Sequence, residues 1–326
     1  MNSEESGISD GIVTQKLSKE FGTTHALDNV NVTFRRGTIH GLLGRNGAGK
    51  TTLMSIICNH NFKSSGNVYI DGQDPAENAA VLGDICFVHE DQRWHDNYTA
   101  DMILGSASRF YPNWDRQLAA HLAKKFSLPA ATKVSRLSRG QRSALAITIV
   151  LASHAEYSFL DEPYLGLDPT ARGIFYEELA TTQADDPRTF IMSTHLIDEC
   201  AGLMETVTIL DQGHVSQSGE VDDVLSKVWS FTGMKRSLEP MLPALEILSS
   251  SSMGAMCSVV FKGSLDDRQV AQLRTGDVSD LRHATLQELV SAIGAFEPQS
   301  HEQSTVEKDD SFHGGHRDTA TKGVLQ

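Results

Sequence analysis

A chain of 326 residues with a formal net charge of −14 has room for one large α/β domain and a smaller second unit. Its acidic balance argues against nonspecific nucleic-acid binding, which needs a basic face, and no nucleic-acid partner is expected. Four cysteines (Cys58, Cys86, Cys200 and Cys257) stand without paired spacing, and they read as core thiols, not as a disulfide frame or a zinc site.

Residues 1–11 are polar and acidic, unlike a signal peptide, and are expected to be flexible. Segments 12–21 and 26–34 alternate apolar and polar side chains around Gly22-Thr23-Thr24, which predicts an antiparallel pair. The apolar run 39–43 reads as a buried strand. It leads into Gly44-Arg45-Asn46-Gly47-Ala48-Gly49-Lys50-Thr51-Thr52, then Leu53, Met54, Ile56 and Ile57 at helical spacing. Strand, glycine-rich turn and helix start form the context in which this pattern cradles phosphates. The glycines let consecutive backbone N–H groups face one anion, and the helix N-terminus adds its positive dipole end. Lys50 is then placed to reach the β- and γ-phosphates, and the Thr51 hydroxyl to ligate Mg²⁺. The stretch predicts a nucleoside triphosphate site.

A turn at 64–66, a short strand at 67–70 and a central strand at 84–89 follow. Between 91 and 133 the pattern turns helical. Thr99 is expected to cap a helix to residue 110 and Asn113 a second over 114–126, giving an inserted helical subdomain. Ser138 caps a strongly apolar helix to about 152, whose stretch 144–152 is far short of the ~20 residues a membrane helix needs. Strands are expected at 157–160, 189–193, 207–210 and 214–217, with helices at 169–182, 196–204 and 219–229. Beyond these, 239–296 reads as a small α+β appendix with strands at 246–251 and 255–262 and helices at 266–273 and 285–293. Its stripe of Leu286, Leu289, Val290 and Ile293 suits packing on the main domain or on a second copy. Residues 297–326 are polar and charged, and are expected to be disordered.

Two further motifs carry chemistry. In Tyr157-Ser158-Phe159-Leu160-Asp161-Glu162-Pro163, Asp161 is placed to hold Mg²⁺ and Glu162 to act as general base for an attacking water. Leu137-Ser138-Arg139-Gly140-Gln141-Arg142 joins a serine cap, a glycine and a helix start, a second anion-binding arrangement. One chain needs only one set of phosphate ligands, so a second set points to use by a neighbouring molecule.

Together with Gly166-Leu167-Asp168-Pro169 and Ser193-Thr194-His195, these motifs in this order resemble the ATP-binding subunit of an ABC-type transporter. The resemblance covers about 12–229, within an expected ATPase domain of 12–232 whose helical subdomain spans about 91–133. It implies a P-loop NTPase α/β core with an antiparallel β edge, two ATP molecules and Mg²⁺ sandwiched in a head-to-tail dimer, and a second ATPase subunit that is either another copy of this chain (homodimer) or a different chain (heterodimer). Under it, Phe21 would stack on adenine, and Gly44, Asn46, Gly47, Gly49, Lys50, Thr51 and Thr52 would hold the phosphates. Ser138, Gly140 and Gln141 would meet the partner's γ-phosphate. Asp168 would couple the two sites, and His195 would orient the attacking water with Glu162. Taken alone, Phe21 also reads as strand core and His195 as a helix cap. Two departures stand out: Glu90 where the family commonly has glutamine, still able to ligate Mg²⁺ or its waters, and Arg139 where it most often has glycine.

The resemblance further implies a polytopic membrane permease on a separate chain, with this chain cytoplasmic and peripheral at the inner face of the membrane. Phe110-Tyr111-Pro112-Asn113-Trp114-Asp115 and Ser193-Thr194-His195-Leu196-Ile197-Asp198-Glu199 are most similar to those of export subunits often encoded beside a GntR-type regulator. Trp94, Tyr98 and the 99–110 helix are candidates for docking the permease, or equally for packing the subdomain. The alternatives are a soluble ABC-type ATPase acting on ribosomes or nucleic acid, and an import subunit with a regulatory C-terminal part.

Overall fold

The computed structural model describes residues 11–89, 92–238, 245–275 and 278–295. Its centre is a six-stranded sheet built from β3 (Ile39–Leu43), β5 (Ile85–His89), β6 (Tyr157–Asp161), β7 (Thr189–Ser193), β8 (Thr206–Asp211) and β9 (His214–Glu220). The order is β5-β6-β7-β3-β8-β9, parallel throughout except for β9. Every residue of β3, β6 and β7 is buried, as expected of parallel strands covered on both faces. The register aligns their C-terminal ends, with Asp161 opposite Ser193 and Ser193 opposite Leu42. Three neighbouring strands therefore deliver their chain ends to one level of one sheet edge, where ligands of open α/β sheets bind.

On one face lies an antiparallel sheet of β1 (Ile12–Phe21), β2 (Thr24–Phe34) and β4 (Ser65–Ile70), ordered β2-β1-β4. Leu27, Val30, Val32 and Phe34 point inward from β2 and share a core with Leu53, Met54 and Ile57 of the Lys50–Ile57 helix. On the other face the Arg139–Ser153 helix is buried from Ala144 onward, which explains why its sequence is apolar all round.

The inserted helices are Ala100–Phe110 and Arg116–Lys125. Thr99 caps the first as expected, its hydroxyl accepting from Met102 N–H. The second is capped by Asp115, not Asn113. The Asp115 carboxylate accepts from Gln117 and Leu118 N–H at 2.7 and 2.9 Å, while Trp114 N–H closes a turn onto Tyr111 O. An ionised acceptor at the N-terminus outcompetes the earlier amide because it also meets the helix dipole.

The expected 219–229 helix shrinks to Val221–Leu225. The chain then enters β10 (Val228–Met234), which sits inside a four-stranded antiparallel sheet with β11 (Glu246–Met253), β12 (Met256–Lys262) and β13 (Val278–His283), in the order β11-β12-β10-β13. β10 is rich in β-branched and aromatic residues, and that propensity overrides the helical reading. The C-terminal sheet thus begins before residue 232. Helix Leu286–Ala295 buries Leu286, Leu289, Val290 and Ala292 in the same core as Ile197, Cys200 and Met204, so its apolar stripe packs on the main domain of its own chain. All four cysteines are buried, and none of them is in a disulfide.

Candidate active site at the strand ends

The turn after β3 folds as a phosphate loop because its glycines take conformations closed to other residues. Gly49 stands at φ 105 against β2, and a Cβ there would lie 2.5 Å from Ala26 O. Gly47 stands at φ 84 facing open space. The Lys50–Ile57 helix starts here without a side-chain cap, so its first N–H groups are left for a ligand. Lys50 is buried, and its ammonium donates to Gly44 O at 2.7 Å and Arg45 O at 3.1 Å. Burial lowers its pKa, and Glu162 and Asp161 oppose that shift by favouring the charged form.

A cleft of about 320 Å³ opens over this loop. It is lined by Ala26, Asn46, Gly47, Gly49, Lys50, Thr51, Thr52, Asp161 and Glu162. Thr51 Oγ1 donates to Asp161 Oδ2, and Ser193 Oγ donates to Asp161 Oδ1. The hard oxygens of Thr51 and Asp161 suit Mg²⁺. Among the described residues no group of three or more His, Cys, Asp or Glu side chains could hold a metal. The donor set therefore fits Mg²⁺ that arrives with nucleotide phosphates.

Glu162 adopts φ 52, a left-handed conformation for a non-glycine residue, and its N–H is held by Ser193 Oγ at 3.1 Å. Its carboxylate accepts from His195 Nδ1 at 2.7 Å and from the Tyr164 hydroxyl. His195 is more than half exposed at the mouth of this group.

Ser138, Gly140 and Gln141 lie outside the cleft lining. Ser138 and Gln141 form a reciprocal capping box, with Ser138 Oγ accepting from Gln141 N–H and Gln141 Oε1 accepting from Ser138 N–H. Gly140 packs against Gly166 O, where a Cβ would collide. Asp168 caps the Pro169–Asp185 helix, accepting from Ala171 N–H at 2.8 Å. Phe21 is about half exposed at the end of β1, under Lys19 Nζ, and does not line the cleft. Glu90 falls outside the described residues, while its neighbours His89 and Gln92 line a second pocket with Arg139, Arg142 and Glu162. In the sequence Ser193 and Thr194 appear only as the flank of His195, and Tyr164 is not singled out at all; the strand register, which sets Ser193 opposite Asp161, is what brings Ser193 into the site.

The family model described as ABC transporter matches residues 27–165. The ABC transporter ATP-binding protein YtrB of Bacillus subtilis is 26% identical over 213 residues, 65% of this chain and 73% of that protein. A sulfate/thiosulfate import ATP-binding protein, CysA of Ralstonia nicotianae, is 28% identical over 291 residues, 84% of this chain and 78% of its own length. Among solved structures, a dimeric ATP-binding cassette in a post-hydrolysis state with ADP and phosphate superposes with a TM-score of 0.57 at 25% identity, covering 64% of this chain and 98% of the other. The fold, a P-loop α/β core with a mixed sheet, is that of ABC ATPase cassettes. The chain carries the ATP-binding domain of the ABC transporter family, an ATPase.

Proposed function

We propose that this chain powers an ABC exporter by closing on ATP against a second ATPase subunit and moving a polytopic permease made by a separate chain. The observation that carries the reading is the convergence of Lys50, Thr51, Asp161, Glu162 and Ser193 to His195 at the ends of three adjacent strands. Phosphoryl transfer to water needs positioning and charge stabilisation more than covalent chemistry, and these residues supply both.

The roles we assign are these. Lys50 exchanges its bonds to Gly44 O and Arg45 O for phosphate oxygens. Gly44, Asn46, Gly47, Gly49 and Thr52 complete the cradle. Thr51 and Asp161 would hold Mg²⁺, which would supply neutralisation of the developing phosphate charge, and Glu90 would assist them as a further carboxylate ligand. Glu162 takes a proton from the attacking water, and His195 orients that water at the γ-phosphate. Phe21 meets the adenine. Ser138, Gly140 and Gln141 serve the partner's nucleotide, and Asp168 relays closure, because the capped Ser138 turn lies away from its own chain's cleft. Among the described residues no helix is long and apolar enough to cross a membrane, which supports a separate permease and a position at the inner membrane face. An apolar groove of about 490 Å³, lined by Trp94, Tyr98, Phe110 and Tyr111, flanks the Ala100–Phe110 helix and is the surface we assign to that permease.

The import reading has one observation in its favour, the CysA match that runs beyond the ATPase domain. Affinity purification from detergent extracts tests the reading as a whole. A co-purifying polytopic permease supports it, and cargo flux in vesicles carrying that permease decides direction. Sedimentation with ribosomes and without a membrane partner contradicts it.

A further inference from the structure

Tyr164 is 2% exposed, and its hydroxyl sits between Glu162 and the turn that carries His195. A phenol has one proton to give and two lone pairs to fill. The proton goes to Glu162 Oε2, because an ionised carboxylate has none to donate. The lone pairs accept from His195 N–H at 2.8 Å and from Thr194 Oγ1 at 3.0 Å. His195 Nδ1 also lies 3.0 Å from the hydroxyl, but with the hydroxyl's capacity used it donates to the same Glu162 oxygen, the nearer acceptor at 2.7 Å. Glu162 needs such anchoring: its left-handed φ persists only where the surroundings hold it. Ser193 fixes its backbone, and Tyr164 and His195 fix its carboxylate.

We propose that Tyr164 is a positioning residue for ATP hydrolysis, its hydroxyl locking the Glu162 carboxylate and the His195 backbone into one register so that base and histidine act on the γ-phosphate as a unit. The inference rests on the reading of Glu162 as the base. Tyr164 does not line the nucleotide cleft, so its effect passes through Glu162 and His195 and not through contact with ATP.

Tyr164→Phe in the full chain removes only the hydroxyl and keeps the ring's edge-on contact with His195, whose centroid lies 5.4 Å away. Displacing a general base costs on the order of tenfold or more, so kcat falls about tenfold while KM for ATP stays within about twofold. ATP binds Glu162→Gln and Glu162→Gln/Tyr164→Phe with the same Kd. Thr194→Val, which strips one donor from the hydroxyl without touching Glu162, lowers kcat in the same direction by a smaller factor. A Tyr164→Phe enzyme with unchanged kcat overturns the proposal. So does one that loses ATP affinity and melting temperature in step with kcat, since the tyrosine would then be packing. Failure of the underlying reading shows separately, as Glu162→Gln turning over ATP at the parental rate, and it overturns the proposal as well.

Discussion

Two glycines of the phosphate loop share a positive φ and differ in what surrounds them, so replacing each with alanine separates backbone strain from steric exclusion. At Gly47, φ is 84 and nothing lies within 4 Å of where a Cβ would stand. Its substitution pays only the left-handed penalty, about 1–2 kcal/mol for an L-residue. At Gly49, φ is 105 and the Cβ would lie 2.5 Å from Ala26 O and 2.8 Å from Leu27 Cδ2. The first of these is backbone of β2, whose antiparallel pairing with β1 resists a shift. Strain and displacement together bring the cost of Gly49→Ala to more than about 3 kcal/mol. Urea denaturation of the nucleotide-free protein reads both variants on one scale. Equal losses at the two positions, or a Gly49→Ala protein within about 1 kcal/mol of the parent, would refute the reasoning that close backbone approach sets the cost.

Three further outcomes follow from single contacts. His40 is buried on β3 against Arg35 O and Thr206 Oγ1, and burial lowers its pKa to about 4. The unfolded chain therefore takes up the proton first, so this contribution is complete above about pH 6.5 and drains toward pH 4, by at most about 3 kcal/mol. Urea midpoints should drop less between pH 7.5 and 4.5 in His40→Gln, and parallel pH slopes would contradict this. Arg45 Nη1 donates to Gly294 O at 2.6 Å, tying the last turn of the Leu286–Ala295 helix to the phosphate loop. Arg45→Ala should accelerate amide exchange in that turn about fivefold, the worth of a bond of about 1 kcal/mol, with core amides unchanged. Asp115→Ala should cost about 1 kcal/mol and Asn113→Ala almost nothing, and equal effects would contradict the cap assignment.

Much of the core was legible because its signals are local. β3, the glycine turn and the Lys50–Ile57 helix lie in one stretch of 19 residues, 39–57, and the Ser138 cap names its own helix. Where two local signals competed, the reading failed: Asn113 and Asp115 are both capping residues, and only the structure shows which carboxylate or amide reaches the free N–H groups. β10 was missed because its local strand propensity competed with the helical reading of 219–229, and the partners that settle the competition, β12 and β13, come later in the chain. The candidate site divides in the same way. Lys50, Asp161 and Glu162 carry their chemistry in their spacing. Tyr164 and Ser193 gain theirs from the register of β6 against β7, which places them beside groups some 30 residues away, Tyr164 by His195 and Ser193 by Asp161.

The proposed convergence of a phosphate loop, a carboxylate for Mg²⁺ and a general base on one cleft is tested most directly by measuring ATP binding and ATP turnover on the same purified Glu162→Gln sample in Mg²⁺. The account predicts that binding persists at the parental Kd while turnover falls to background. Turnover at the parental rate would show that Glu162 is not the base and that the site works by another route.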